Sequence, residues 1–171
     1  MADKKLITHH SSLITRMKLR FVWIGKTRNR AIKELVEQYL GRVRNFAHTE
    51  VVELRDRTDA GSDARRIIEK EGEDILARTV SDPLVVALDE RGKEMDSIKL
   101  AGFIEKHRVS GTRQMTFVIG GHNGLSDEVR QRADLVLALS KMTLTHEFAR
   151  ALLTEQVYRA FTIIHDLPYQ K

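Results

Sequence analysis

The chain has 171 residues, of which 42% are hydrophobic and 31% charged, with ten glycines, two prolines and no cysteine. That length suits one domain with its own core, and the composition excludes collagen-like, low-complexity and mainly disordered chains. The missing thiol excludes disulfides, thiolate zinc sites, iron–sulfur clusters and cysteine nucleophiles, and fits a reducing compartment.

The formal charge of +5 points only weakly to a polyanionic partner. Lys4, Lys5 and Arg16 against Asp3 hold +2 of it in the first sixteen residues, which leaves +3 for the remainder. Those residues, MADKKLITHHSSLITR, lack the apolar run of a signal peptide and any sustained period. They read as a flexible N-terminal extension, 1–16, ahead of a single domain, 17–171. No stretch approaches the length of a transmembrane helix.

From Met17 short apolar runs alternate with helical patterns. Residues 19–24 read as a buried strand. Residues 30–40 place Ile32, Leu35, Val36, Tyr39 and Leu40 three and four apart, the spacing of an amphipathic helix. A second strand is expected over 50–54. Ser62 is a candidate cap for a helix reaching about residue 80, with Ile67, Ile68, Ile75 and Leu76 inward. The unbroken apolar run 84–88 has the character of a central parallel strand. A helix over 97–107, a strand over 115–119, a short helix over 126–133, a strand over 135–139 and a long helix over 147–164 complete the chain. This alternation predicts an α/β fold with a mainly parallel sheet and helices on both faces. Such sheets bind ligands beyond the carboxyl ends of their strands, so the loops after Leu88, Ile119 and Leu139 are the candidate site.

Three motifs bear on the chemistry. Gly25-Lys26-Thr27 imitates the end of a phosphate-binding loop, but the glycine needed five residues earlier is Arg20. Gly120-Gly121-His122-Asn123-Gly124 closes a buried strand with three glycines in five positions. That spacing is not the dinucleotide fingerprint, and a plain tight turn explains it equally. The eight residues Ser140 to Glu147 form an unusually long polar connection, the kind of loop that carries function. His146-Glu147 starts like a zinc-protease helix, but Arg150 stands where the second histidine belongs, and no metal site is expected. His146 alone reads equally as an exposed residue at a helix start. Glu155 and Arg159, four apart, read equally as a surface ion pair.

Taken in order, MKLRFVWIGK, IEKEGEDIL, VVALDERGKEM, FVIGGHNGL, ALSKMTLTHEFARALLTEQVYRAF and the terminal Pro-Tyr resemble the ribosomal RNA large subunit methyltransferase H family. This is a branch of the SPOUT, or trefoil-knot, methyltransferases. The resemblance covers essentially all of 17–171. It implies an α/β fold with a carboxyl-terminal trefoil knot. The implied activity is transfer of a methyl group from S-adenosylmethionine to N3 of a pseudouridine in helix 69 of 23S rRNA. It also implies a homodimer in the cytoplasm, with neither metal nor membrane. Carried over residue by residue, the cofactor would lie against Leu88, Gly120, Leu139, Ser140, Lys141, Met142, Thr143 and Leu144. His146, Arg150, Glu155, Arg159 and Tyr169 would line the substrate side, the tail coming from the second subunit.

Family tails commonly read Tyr-His, whereas Gln170 follows Tyr169 here. Glutamine can hydrogen-bond but cannot take a proton at neutral pH, so the expectation is activity with that position as a contact. The small charge of the body leads to a second expectation, a preference for the assembled ribosome or large subunit over naked rRNA. Methylation of another RNA base, or a non-catalytic knotted RNA-binding module, is the alternative.

Overall fold

The computed structural model describes residues 17–58 and 63–169. The readings for residues 1–16, for Ser62 as a helix cap and for Gln170 lie outside the described residues. In chain order the elements are β1 Lys18–Ile24, α1 Arg30–Val43, β2 His48–Leu54, α2 Ala64–Thr79 and β3 Val85–Glu94. They continue with α3 Ser97–Val109, β4 Gln114–Ile119, α4 Asp127–Arg132, β5 Leu135–Ala138 and α5 His146–Ile164. Each helix opens on a side-chain cap, supplied in turn by Asn29, Asp63, Asp96, Ser126 and Thr145, which satisfies a backbone N–H that the helix itself leaves free.

The five strands form one parallel sheet in the order β2-β1-β4-β3-β5. Side chains alternate across it, as the two-residue period of a strand requires. Leu19, Phe21 and Trp23 of β1 and Met115, Phe117 and Ile119 of β4 join one core with residues from α1, α3 and α5. Val22, Ile24, Val85, Ala87 and Val118 join the other, against Ile75 of α2 and Val129 of α4. Phe21 and Phe117 stack with ring centroids 5.6 Å apart at the centre of the first layer. Each such fully buried side chain contributes about 1.5–3 kcal/mol by leaving water.

This layering positions the site. The chain leaves β3 for a helix on one face of the sheet and leaves the adjacent β4 for a helix on the other. Two neighbouring strands whose exits diverge leave a crevice between their carboxyl ends, where open α/β sheets take their ligands.

Two boundaries differ from the sequence reading in a way that matters here. The strand expected over 84–88 continues to Glu94. Its pairing with β5 breaks after Leu88 and resumes at Lys93, so Asp89 to Gly92 loop out of the ladder. Polar residues interrupt the apolar run there, and periodicity alone ends the strand too early. The last helix starts at His146, with Thr145 as its cap.

Candidate active site

The crevice opens into a cavity of about 630 Å³ at the carboxyl ends of β3, β4 and β5. Leu88, Ile119, Leu125, Leu137, Leu139 and Leu144 give it apolar walls, while Asp89, Glu90, His122, Asn123 and His146 add polar groups. Size and lining are those of a small-molecule site.

Close backbone approach shapes the β4 turn. A Cβ at Gly120 would lie 2.6 Å from the carbonyl oxygen of Gly124, and a Cβ at Gly121 would lie 2.6 Å from Glu71 Oε2. Only glycine fits either place without moving its neighbours. Gly124 N donates to the Gly121 carbonyl at 3.1 Å and closes the loop on itself. Glu71 is buried, accepts a hydrogen bond from Arg57 N at 3.1 Å, and has its carboxyl raised by desolvation.

The looped-out segment of β3 forms the opposite wall. Asp89 accepts from Arg91 N at 2.9 Å, from Arg91 Nε at 3.0 Å and from Arg130 Nη1 at 3.1 Å. Desolvation would raise this carboxyl, but the arginine bonds outweigh it and hold Asp89 below the usual range, as an anion. Glu90 accepts from Thr143 Oγ1 at 2.6 Å, which ties this wall to the β5–α5 loop. Sequence reasoning missed Asp89 and Glu90. Their position directly after Leu88 at a central strand end is the signal that could have found them.

The expected cofactor residues Leu88, Gly120, Leu139, Ser140, Met142, Thr143 and Leu144 all line this one cavity. Lys141 does not; its ammonium donates to the Gly92 carbonyl at 3.4 Å. The expected substrate-side residues separate into three places. His146 lines the cavity. Burial, and then the neighbouring Arg150, lower the His146 pKa, which favours the neutral ring.

Arg150 does not reach the cavity surface. It is fully buried, donates to Thr27 Oγ1 at 2.8 Å and to the Ile24 carbonyl, and lies over the Trp23 ring at 5.1 Å. Glu155, Arg159 and Tyr169 make a third group. Arg159 Nη2 donates to Glu155 Oε1 at 2.7 Å, Tyr169 donates to the same oxygen at 3.2 Å, and the Arg159 guanidinium sits 4.7 Å from the Tyr169 ring centre. With a rise of about 1.5 Å per residue, Arg159 is about 20 Å along α5 from His146. Desolvation, followed by contacts with Tyr39 and Glu155, raises the Tyr169 phenol, so it stays protonated.

Sheet, switch point and glycine-walled cavity define an α/β protein that takes a compact, partly apolar ligand at its strand ends. The chain belongs to the SPOUT methyltransferases: the family model described as "Predicted SPOUT methyltransferase" matches residues 17–170. Similar curated proteins are the Ribosomal RNA large subunit methyltransferase H of Trichlorobacter lovleyi and of Geobacter sulfurreducens. They are 50% and 44% identical over 153 residues, which is 90% of this chain and 99% of each relative. A solved structure, a probable methyltransferase from Bordetella pertussis Tohama I, shares the fold with a TM-score of 0.55 at 14% identity. That match covers 84% of this chain and 96% of the other. Methyltransferases of this family use S-adenosylmethionine, and the cavity fits it in volume and in its mixture of leucine wall, close glycine backbone and polar rim.

Proposed function

We propose that the protein methylates N3 of a pseudouridine in helix 69 of 23S rRNA, acting as a homodimer with a carboxyl-terminal trefoil knot. The observation that carries this reading is that seven of the expected cofactor residues, from three separate stretches of the chain, line one cavity. The relatives at 50% and 44% identity are named for methylation of large-subunit ribosomal RNA, which supports rRNA as the substrate. Work on ribosomal RNA implies a cytoplasmic location, and among the described residues no helix is long and apolar enough to cross a membrane.

Leu88, Leu139, Met142 and Leu144 would hold the apolar part of S-adenosylmethionine, with Gly120 at closest approach and Ser140 and Thr143 at the polar edge. When bound, that group supplies a methyl already activated on a sulfonium. The protein's task is then to hold N3 in line with it. N3 carries a proton that leaves as the new N–C bond forms. His146, on the cavity wall and favoured in its neutral form, is a residue whose ring nitrogen could accept that proton. Tyr169 is held protonated and is suited to donate a hydrogen bond instead. Arg150 acts from below, fixing the end of β1 beside the cavity.

Glu155 and Arg159 on α5, and Tyr169 bonded to Glu155 from beyond the helix, line no part of the cavity of their own chain, which supports their service to the partner's. The modest charge of the body supports assembled large subunits, rather than naked rRNA, as the substrate. Mass spectrometry of rRNA from a deletion strain tests the reading. Loss of one methyl on the helix 69 pseudouridine, restored by the gene, is expected. An unchanged methyl there would overturn it, and loss at a different base would favour the alternative substrate.

A further inference from the structure

The first turn of α5 faces two ways. His146 lines the cavity, while Glu147 and Arg150 reach across to the connection between β1 and α1. Glu147 accepts from Arg28 N at 2.8 Å and from Asn29 N at 3.0 Å, and Arg150 holds Thr27 Oγ1 and the Ile24 carbonyl. Four bonds from charged groups thus fix the end of β1 and the five-residue turn after it, which line no part of the cavity. Charge-assisted bonds of this kind are about twice as strong as neutral ones. Such fixing needs a reason beyond the fold, since Asn29 already caps α1.

What the turn displays supplies the reason. Lys26 and Arg28 project into solvent, the Arg28 side chain 82% exposed. Gly25 N donates to the Leu54 carbonyl at 2.8 Å, which sets the turn beside the end of β2, where Arg55 is also exposed. Among the described residues Lys26 and Arg55 make no ion pair. Apart from the exposed Glu53 of β2, the nearby carboxylates have partners. Glu147 is committed to backbone, Glu34 pairs with Arg30, and Asp56 takes Thr58 N while standing 3.7 Å from Arg28. His146 on the cavity wall is followed directly by Glu147, which holds Arg28 N and Asn29 N, so this basic ledge stands beside the cavity.

We propose that Lys26, Arg28 and Arg55 form a phosphate-binding ledge for the RNA strand that flanks the target nucleotide. Glu147 and Arg150 are positioning residues that set the distance from ledge to cavity. The inference rests on the RNA substrate proposed above. Exposed cations on a fixed backbone supply sequence-independent affinity and register, while the cavity selects the base.

The test compares the wild type with K26A/R28A/R55A and with the charge-conserving K26R/R28K/R55K on purified large subunits. The alanine variant should raise KM by about tenfold or more and lower the slope of log affinity against log salt by about two to three. Its kcat at saturation and its calorimetric affinity for S-adenosylmethionine should stay within about twofold of the wild type. The charge-conserving variant should keep most of the KM. An unchanged KM and salt slope overturns the ledge, as does an equal loss in both variants. A wild-type chain that transfers no methyl sinks the proposed function instead. In that case direct binding of the three chains to subunits, read across the same salt range, still decides the ledge.

Discussion

At the scale of single residues, glycines and buried charges set the site. Gly120→Ala pushes a methyl against the Gly124 carbonyl, a contact that backbone must move to relieve. Overpacking of this kind costs about 1–3 kcal/mol. The displaced turn should also weaken S-adenosylmethionine binding by about tenfold or more in calorimetry, the equivalent of about 1.4 kcal/mol. Gly102→Ala, inside α3 with nothing near its Cβ, is the control and should stabilise by roughly 0.5–1 kcal/mol in urea unfolding. If both variants behave alike, close approach is not what Gly120 provides. His146 gives a pH signature. Its folded pKa lies below the ordinary 6.5, because of burial first and Arg150 second. The unfolded chain therefore binds this proton more tightly. Above 6.5 neither state carries it; as the pH falls through 6.5 towards the lower folded value, stability declines. His146→Asn should remove that part of the acid slope, and unfolding free energies that fall identically with pH in both proteins would refute it. These residue-level features were only partly legible in the sequence. The glycine turn announced itself by composition. Arg150 did not, because an arginine is ordinarily read as exposed and its partners at Ile24 and Thr27 are more than a hundred positions away.

At the scale of elements, the order of strands and helices was readable because parallel strands buried on both faces give unbroken apolar runs and their helices give a 3.6-residue period. Strand order was not readable, since no local pattern states that β4 inserts between β1 and β3. The looped-out Asp89 to Gly92 was missed for a related reason. Its polar side chains bond to Arg130 and Thr143, which come from later elements, so the segment looks like an ordinary strand exit. The start of α5 is the element boundary on which the site most depends. Thr145 Oγ1 accepts from Phe148 N at 3.3 Å and fixes the first turn, which carries His146 and Glu147 and leads into Arg150. Thr145→Ala should cost about 1 kcal/mol of stability in thermal or urea unfolding, and Thr145→Ser should recover most of it. Equal losses in the two variants would mean that the methyl group, and not the cap, is what matters.

At the scale of the whole molecule, the two ends of the sheet divide the work. Near the amino ends of the strands, Asp82 accepts from Thr116 Oγ1 and Gln114 Nε2 at 2.7 Å each and from Arg20 Nη1 at 3.2 Å, a polar network that lines no part of the cavity. At the carboxyl ends lies the cavity, yet Glu155 and Arg159 stand about 14 and 20 Å farther along α5, with Tyr169 bonded to Glu155. If each active site combines one chain's cavity with the other's cluster, two individually inactive variants must rescue one another. Leu144→Arg blocks the cavity and leaves the cluster intact; Arg159→Ala does the reverse. After unfolding and refolding together, half of the dimers are mixed by random assortment. Each mixed dimer holds one fully intact site and one doubly damaged site. The expected rate is about a quarter of the wild type, while each variant alone stays near background. Sites confined to single chains predict no rescue at any mixing ratio, because every chain then carries a defect in its own site. A rescued rate that peaks at equal proportions and vanishes when the variants are mixed without unfolding would separate a shared site from contamination by wild type.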